Sequence, residues 1–224
     1  MTTGLYVQML NLAAGGLLLT AVLVLWRREL TVIIRVFAAQ GVALAGLVAV
    51  VALHEGSPEL AGVAFGVLVL RAGVLPAVLR RALATNRSAA GEDVREVRPL
   101  VNVTASLLAA AVLTLLALAV SQPLVQLAPS PATQAVPIGM AVVLIGFFVL
   151  VTRRRAVSQL VGFLLMDNGI TAVGFLTTAG IGLVVEVGVA LDVLLAVLVL
   201  QVLTGRMREA FGGTDLDELR ELHD

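Results

Sequence analysis

The chain contains no cysteine and no lysine, and it is poor in charge of either sign. Without thiols there are no disulfides and no thiolate-held iron–sulfur clusters. Its two histidines, His54 and His223, both lie outside the apolar stretches, which argues against a membrane haem held between paired imidazoles. Charged residues make up 13% of the chain, against roughly 25% in a soluble globular domain. The sequence also lacks a phosphate-cradling glycine loop, a metal-ligand cluster, a Ser/His/Asp set and a basic, aromatic-laced face for nucleic acid. Nothing in it supports catalysis by this chain alone, a resident cofactor or a nucleic-acid partner. The first residues, MTTGLYVQML, show neither a basic n-region nor an A-x-A cleavage site, so the first apolar stretch reads as a retained helix and not a signal peptide.

What is present is hydrocarbon. Hydrophobic residues make up 59% of the 224 positions, and the mean hydropathy is +1.04. They gather in seven blocks, near 5–25, 30–53, 58–79, 100–120, 135–151, 157–178 and 181–203. Blocks of this length span a bilayer, and backbone in hydrocarbon must bond to itself, so each block is expected to be a helix. The expected fold class is therefore an all-α polytopic bundle, a single membrane domain over residues 1–224.

The basic residues orient it. Arg27 and Arg28 follow the first block; Arg80, Arg81, Arg87, Arg95 and Arg98 follow the third; Arg153, Arg154 and Arg155 follow the fifth; Arg206 and Arg208 follow the seventh. The intervening connections carry no arginine. Under the positive-inside rule this alternation predicts an N-terminus outside, a cytoplasmic loop over 80–99 and a cytoplasmic tail over 204–224, in a prokaryotic cell (inner) membrane. In the tail, Thr214-x-x-Asp217 precedes Leu216, Leu219 and Leu222 at helical spacing. It reads as a short amphipathic helix on a partner or membrane surface, or as a small solvated helix.

A shift of 128 positions lays Arg27, Gln40, Gly41 and Gly46 on Arg155, Asn168, Gly169 and Gly174. Blocks 1–3 and 5–7 would then be parallel repeats, with block 4 restoring the orientation. Chance matches in apolar sequence are the competing explanation.

Five ionisable residues fall inside the predicted spans: Arg35, Arg71, Asp167, Glu186 and Asp192. A charge at a helix centre costs about 2.5–3.5 kcal/mol on insertion scales, so such residues face a bundle interior or a wet cavity and mark ion or proton paths. Arg35 lies close enough to the start of its helix to snorkel to the headgroups. Arg71 does not: it precedes Arg80 by nine residues, about 13 Å of helix, and it needs an acid or water. Pro76 beside it removes the bond to the Ala72 carbonyl and is expected to kink the helix. Asp167 lies ten residues into its block and is followed by Asn168 and Gly169. Glu186 and Asp192 share the last block, about 9 Å apart along its axis. One reading makes the acids a proton relay. The other makes Arg71 and one acid a static pair holding the bundle, which leaves two of the three acids without a counterion. Gly62-x-x-x-Gly66 offers a weaker signal for a close helix contact.

The stretch Gly162-Phe-Leu-Leu-Met-Asp167-Asn168-Gly169, followed by Val185-Glu186-Val-Gly188-Val-Ala-Leu-Asp192, resembles the hydrogenase-4 component E (HyfE) family of membrane subunits. Gln40, Arg71 with Val74-Leu75-Pro76, and Gly213-Thr214-Asp-Leu216-Asp extend the likeness over nearly the whole chain. The part over 135–203 is similar to the NuoK/MrpC subunits of complex I and cation antiporters. The resemblance implies a non-catalytic subunit of a complex I-like, energy-converting hydrogenase-type complex. It would lie beside antiporter-like membrane subunits and the membrane anchor of the soluble redox arm. Asp167, Glu186 and Asp192 would then exchange protons (or Na⁺), with Asn168 holding water or a carboxyl and Arg71 tuning the charge. The family commonly has Lys where Arg71 stands and Glu where Asp167 stands, and the NuoK pattern puts its Glu one turn earlier, at the position of Leu164. A self-standing small ion transporter and a purely structural spacer in the same complex are the alternatives.

Overall fold

The computed structural model describes residues 2–90, 101–127, 129–154 and 156–178. The seventh apolar block, with Glu186 and Asp192, and the tail over 204–224 lie outside the described residues. The elements in order are α1 (Thr3–Trp26), α2 (Leu30–Glu55), α3 (Pro58–Val67), a π-helical segment π1 (Leu68–Val74), α4 (Leu75–Ala90), α5 (Val103–Leu127), a 3₁₀ turn (Thr133–Ala135), α6 (Val136–Thr152) and α7 (Ala156–Thr178). The regular structure of the described residues is thus helical, with α3, π1 and α4 running on as one rod. Six of these helices are long and apolar enough to cross a membrane.

Short connections set the packing. Between α2 and α3 the chain turns over two residues. Gly56 takes the left-handed conformation at φ 66°, Ser57 caps α3 by accepting from the Leu60 N–H at 3.3 Å, and Pro58 begins the helix. Two further antiparallel hairpins, α1–α2 and α6–α7, use nearly the same turn. Arg27 ends α1 at φ −87°, ψ 142°, and Arg153 ends α6 at φ −89°, ψ 141°. These equivalent turn residues are 126 positions apart, two short of the shift at which the sequences align. The two hairpins share this turn; the third block of the expected second unit lies outside the described residues.

Arg153 does more than mark a turn. It is buried, and its Nη2 donates to the carbonyls of Val24 and Leu25 at 3.1 Å and of Arg27 at 3.3 Å. The last carbonyls of a helix have no partner within it, and a guanidinium there also suits the negative end of the helix dipole. One planar fork thereby ties the α6–α7 turn to the end of α1. At the other end of α1, Tyr6 stacks on His54 of α2 with ring centroids 3.8 Å apart.

The centre belongs to α2, which touches α1, α3, π1, α4 and α7. Its core side chains, among them Ile33, Phe37, Leu44 and Val48, are buried. Next to it, α6 and α7 pack closely because glycines line their contact. A Cβ on Gly162 would lie 2.5 Å from the Leu150 nitrogen, and one on Gly169 would lie 2.6 Å from the Val143 nitrogen. By contrast, a Cβ on Gly62 or Gly66 would meet nothing within 4 Å, so the expected close contact there is not made among the described residues. The outermost helix, α5, packs on α1 and α6 and exposes Leu108, Val112, Leu115 and Val120. It also runs to Leu127, past the expected end at 120 and through Pro123.

Candidate functional site

Among the buried polar residues of the described helices, Gln40, Arg71, Asp167, Asn168 and Thr171 converge at mid-height. Arg71 is the middle residue of π1 and Asp167 the middle residue of α7. Arg71 is 1% exposed, the largest of the fully buried side chains. Its Nη1 lies 2.5 Å from Asp167 Oδ2 and also donates to Asn168 Oδ1, while Nη2 donates to Thr171 Oγ1 at 2.9 Å. Thr171 lies four residues after Asp167 and three after Asn168, so it is a neighbour of both on the surface of α7. One guanidinium thus takes a carboxyl and two neutral acceptors from a single helix.

Behind them stands Gln40 of α2, fully buried. Its Oε1 accepts from Asn168 Nδ2 at 2.9 Å, and its Nε2 donates to the Leu17 carbonyl of α1 at 3.4 Å. This second bond fixes the Gln40 amide, which fixes that of Asn168 with its oxygen toward Arg71. The chain of contacts runs from α1 through α2 and α7 to π1. Buried polar groups stay in a core only when bonded in this way.

The backbone is shaped to deliver Arg71. Pro76 has no N–H, and its ring would press on the carbonyl four residues earlier in an α-helix. The helix widens just before it, and the Leu75 N–H bonds to the Leu70 carbonyl five residues back. The widened backbone needs room, which Gly41 provides. A Cβ at Gly41 would lie 2.6 Å from the Arg71 carbonyl carbon and 2.7 Å from its oxygen. Gln40 and Gly41 therefore act as one step, the first bonding to Asn168 and the second admitting π1.

Of the five ionisable residues predicted inside spans, the structure brings Arg71 and Asp167 together, and Asn168 joins them as expected. Arg35 stands exposed near the start of α2, as a snorkelling residue should. Leu164, one turn before Asp167, is buried. Glu186 and Asp192 lie outside the described residues. Two members of the cluster were not foreseen as site residues. Thr171 carried a signal, since it follows Asp167 by four positions on the same helix face. Gln40 stood out only as a match in the repeat and in the family likeness.

Comparison with known proteins places the chain. A protein of Mycobacterium tuberculosis, uncharacterized protein Rv0085, is 51% identical over 216 residues, which cover 96% of this chain and 96% of its own. The chain belongs to the Rv0085 family. No family profile matches the chain, and no solved structure does. Among the described residues of this family member, no group of three or more His, Asp or Glu side chains is placed to hold a metal ion. The chemistry within reach of the site is the making and breaking of a carboxylate–guanidinium contact in a place closed to bulk water.

Proposed function

We propose that this protein is a non-catalytic membrane subunit of a complex I-like, energy-converting hydrogenase-type complex, in which Asp167 takes part in proton translocation. The observation that carries this reading is the Arg71–Asp167 pair at the middle of two helical segments that both pack on α2, joined by Asn168, Thr171 and Gln40. Ionisable groups at that depth are expensive, and where they persist they serve ion or proton paths. Sequence likeness to the HyfE and NuoK/MrpC families supplies the assembly: antiporter-like membrane subunits on one side and the anchor of a redox arm on the other. In this reading the N-terminus faces outward, a seventh span carries Glu186 and Asp192 into the same path, and the tail is cytoplasmic.

The pair itself suits the family pattern in length. Where relatives are expected to set a Lys against a Glu, this chain sets the longer-reaching guanidinium against an acid one methylene shorter, and the two still meet at 2.5 Å. The competing reading makes the pair a structural pin, and the three acceptors gathered on Arg71 favour it as far as they go. Asp167→Asn separates the two. The carboxamide keeps an oxygen for Arg71, so the complex should assemble; proton pumping by membrane vesicles should fall at least tenfold. Intact pumping in a normally assembled complex would leave only the pin.

A further inference from the structure

We infer that the acidic segment 214–224 of this chain docks on the arginine-rich end of the bundle, where two helical turns bring Arg27, Arg28 and Arg154 together. The inference rests on the seventh apolar block crossing the membrane, since only then does the chain return to that end. The basic side is assembled from parts far apart in sequence. Arg153 Nη2 bonds to the carbonyls of Val24, Leu25 and Arg27, which sets the α6–α7 turn against the end of α1. Arg153 is buried by that contact, but its neighbour Arg154 is exposed, and so are Arg27 and Arg28 across from it. Arg80 and Arg81 are exposed at the same end, where the third span runs out, and Arg35 stands exposed five residues into α2. Among the described residues at this end, Glu29 is the one acid set against these six arginines.

Guanidinium groups gathered in one place repel each other and attract the nearest anion. The segment 214–224, outside the described residues, supplies the opposite charge by sequence: Asp215, Asp217, Glu218, Glu221 and Asp224 against the single Arg220. At helical spacing Asp217, Glu221 and Asp224 fall on one face, a row of carboxylates for a row of guanidinium forks. The preceding stretch 204–213 reaches about 33 Å when extended, roughly three helix diameters, so the turns are within range. The membrane surface is the rival seat for this segment, and charge disfavours it: anionic headgroups attract basic segments and repel acidic ones. Single exposed ion pairs are weak. A tethered segment, however, meets the arginines at an effective concentration on the order of millimolar, and several pairs form together.

The test uses the full-length protein in nanodiscs with two spin labels, at Val151→Cys near the α6–α7 turn and at Leu222→Cys. In zwitterionic lipid, dipolar spectroscopy should give a short, narrow distance distribution. Neutralising the segment with Asp217→Asn, Glu218→Gln and Glu221→Gln should broaden it at least twofold. So should salt at about 1 M, where the screening length falls to about 3 Å, and so should Arg27→Gln with Arg28→Gln. A broad distribution in the parent protein, or a narrow one that survives these changes, would overturn the inference. Anionic lipid should leave the distribution narrow; broadening there would give the arginines to headgroups and overturn it as well. If the double arginine variant fails to fold, the changes in the segment, which lie outside the described bundle, decide. Impermeant maleimide on Leu222→Cys keeps the docking apart from the seventh span. A thiol reached from the Thr178 side sinks both, whereas one reached from the Arg28 side with a broad distribution sinks the docking alone.

Discussion

Asp167 and Arg71 each sit at the centre of a helical segment, where neither side chain can reach a headgroup, so each depends on the other. Removing one member of a buried pair leaves an uncompensated charge and costs about 3–5 kcal/mol, whereas replacing both with apolar residues of similar size is often neutral. Arg71→Leu and Asp167→Leu should each lower stability by that amount in denaturant titrations in detergent micelles. The double variant should lose far less than the sum. Additive losses would mean that the two groups do not rely on each other. The depth of both residues could be read from the sequence, because a charge inside an apolar block is conspicuous. Beyond the helical spacing of Thr171 from Asp167, the identity of the further partners could not. Thr171 and Gln40 are ordinary residues for a span, and which face of α2 meets α7 is decided by packing between helices that the local pattern does not encode.

At the scale of elements, the third span shows how one proline is absorbed. The sequence predicts a disturbance at Pro76; the structure widens the preceding turns into π1 and carries on into α4. The disturbance was legible because a proline in a helix interior always forfeits a bond. Its form was not, because a π segment persists only where a neighbour leaves room, and that room is Gly41 on another helix. Gly41→Ala must push π1 away from α2, and overpacking of this kind costs about 1–3 kcal/mol. Thermal unfolding in micelles should register that loss. Gly62→Ala, where a Cβ meets open space, should change nothing. Equal effects at the two sites would remove the steric account of π1. The turn arginines carry a similar lesson: Arg153 was expected as a cytoplasmic orienting charge, and it also caps α1 with one nitrogen bonded to three carbonyls. Nothing in the run Arg153-Arg154-Arg155 distinguishes the residue that turns inward from its neighbours.

For the whole molecule, the parity of crossings decides how the site connects to the two aqueous phases. Six helices between Thr3 and Thr177 are long and apolar enough to cross; six crossings would return the chain to the side on which it began, so Thr2 and Thr178 should face the same phase. The alternation of arginine-rich and arginine-free connections predicts that this phase is the outside, with Arg28 and Arg154 within. Because the natural chain has no cysteine, single introduced thiols report position without background. In right-side-out vesicles, Thr2→Cys and Thr178→Cys should react with a membrane-impermeant maleimide. Arg28→Cys and Arg154→Cys should react only after the membrane is opened. A thiol at Glu221 then tests the seventh apolar block: protected from outside if 181–203 crosses, and labelled like Thr178 if it does not. An odd number of spans matters for the mechanism, since it is the seventh that would bring Glu186 and Asp192 into the plane of Asp167. A tail found outside would leave Arg71 and Asp167 paired but without those two acids in a crossing helix, and a relay would have to be completed by carboxylates of neighbouring subunits.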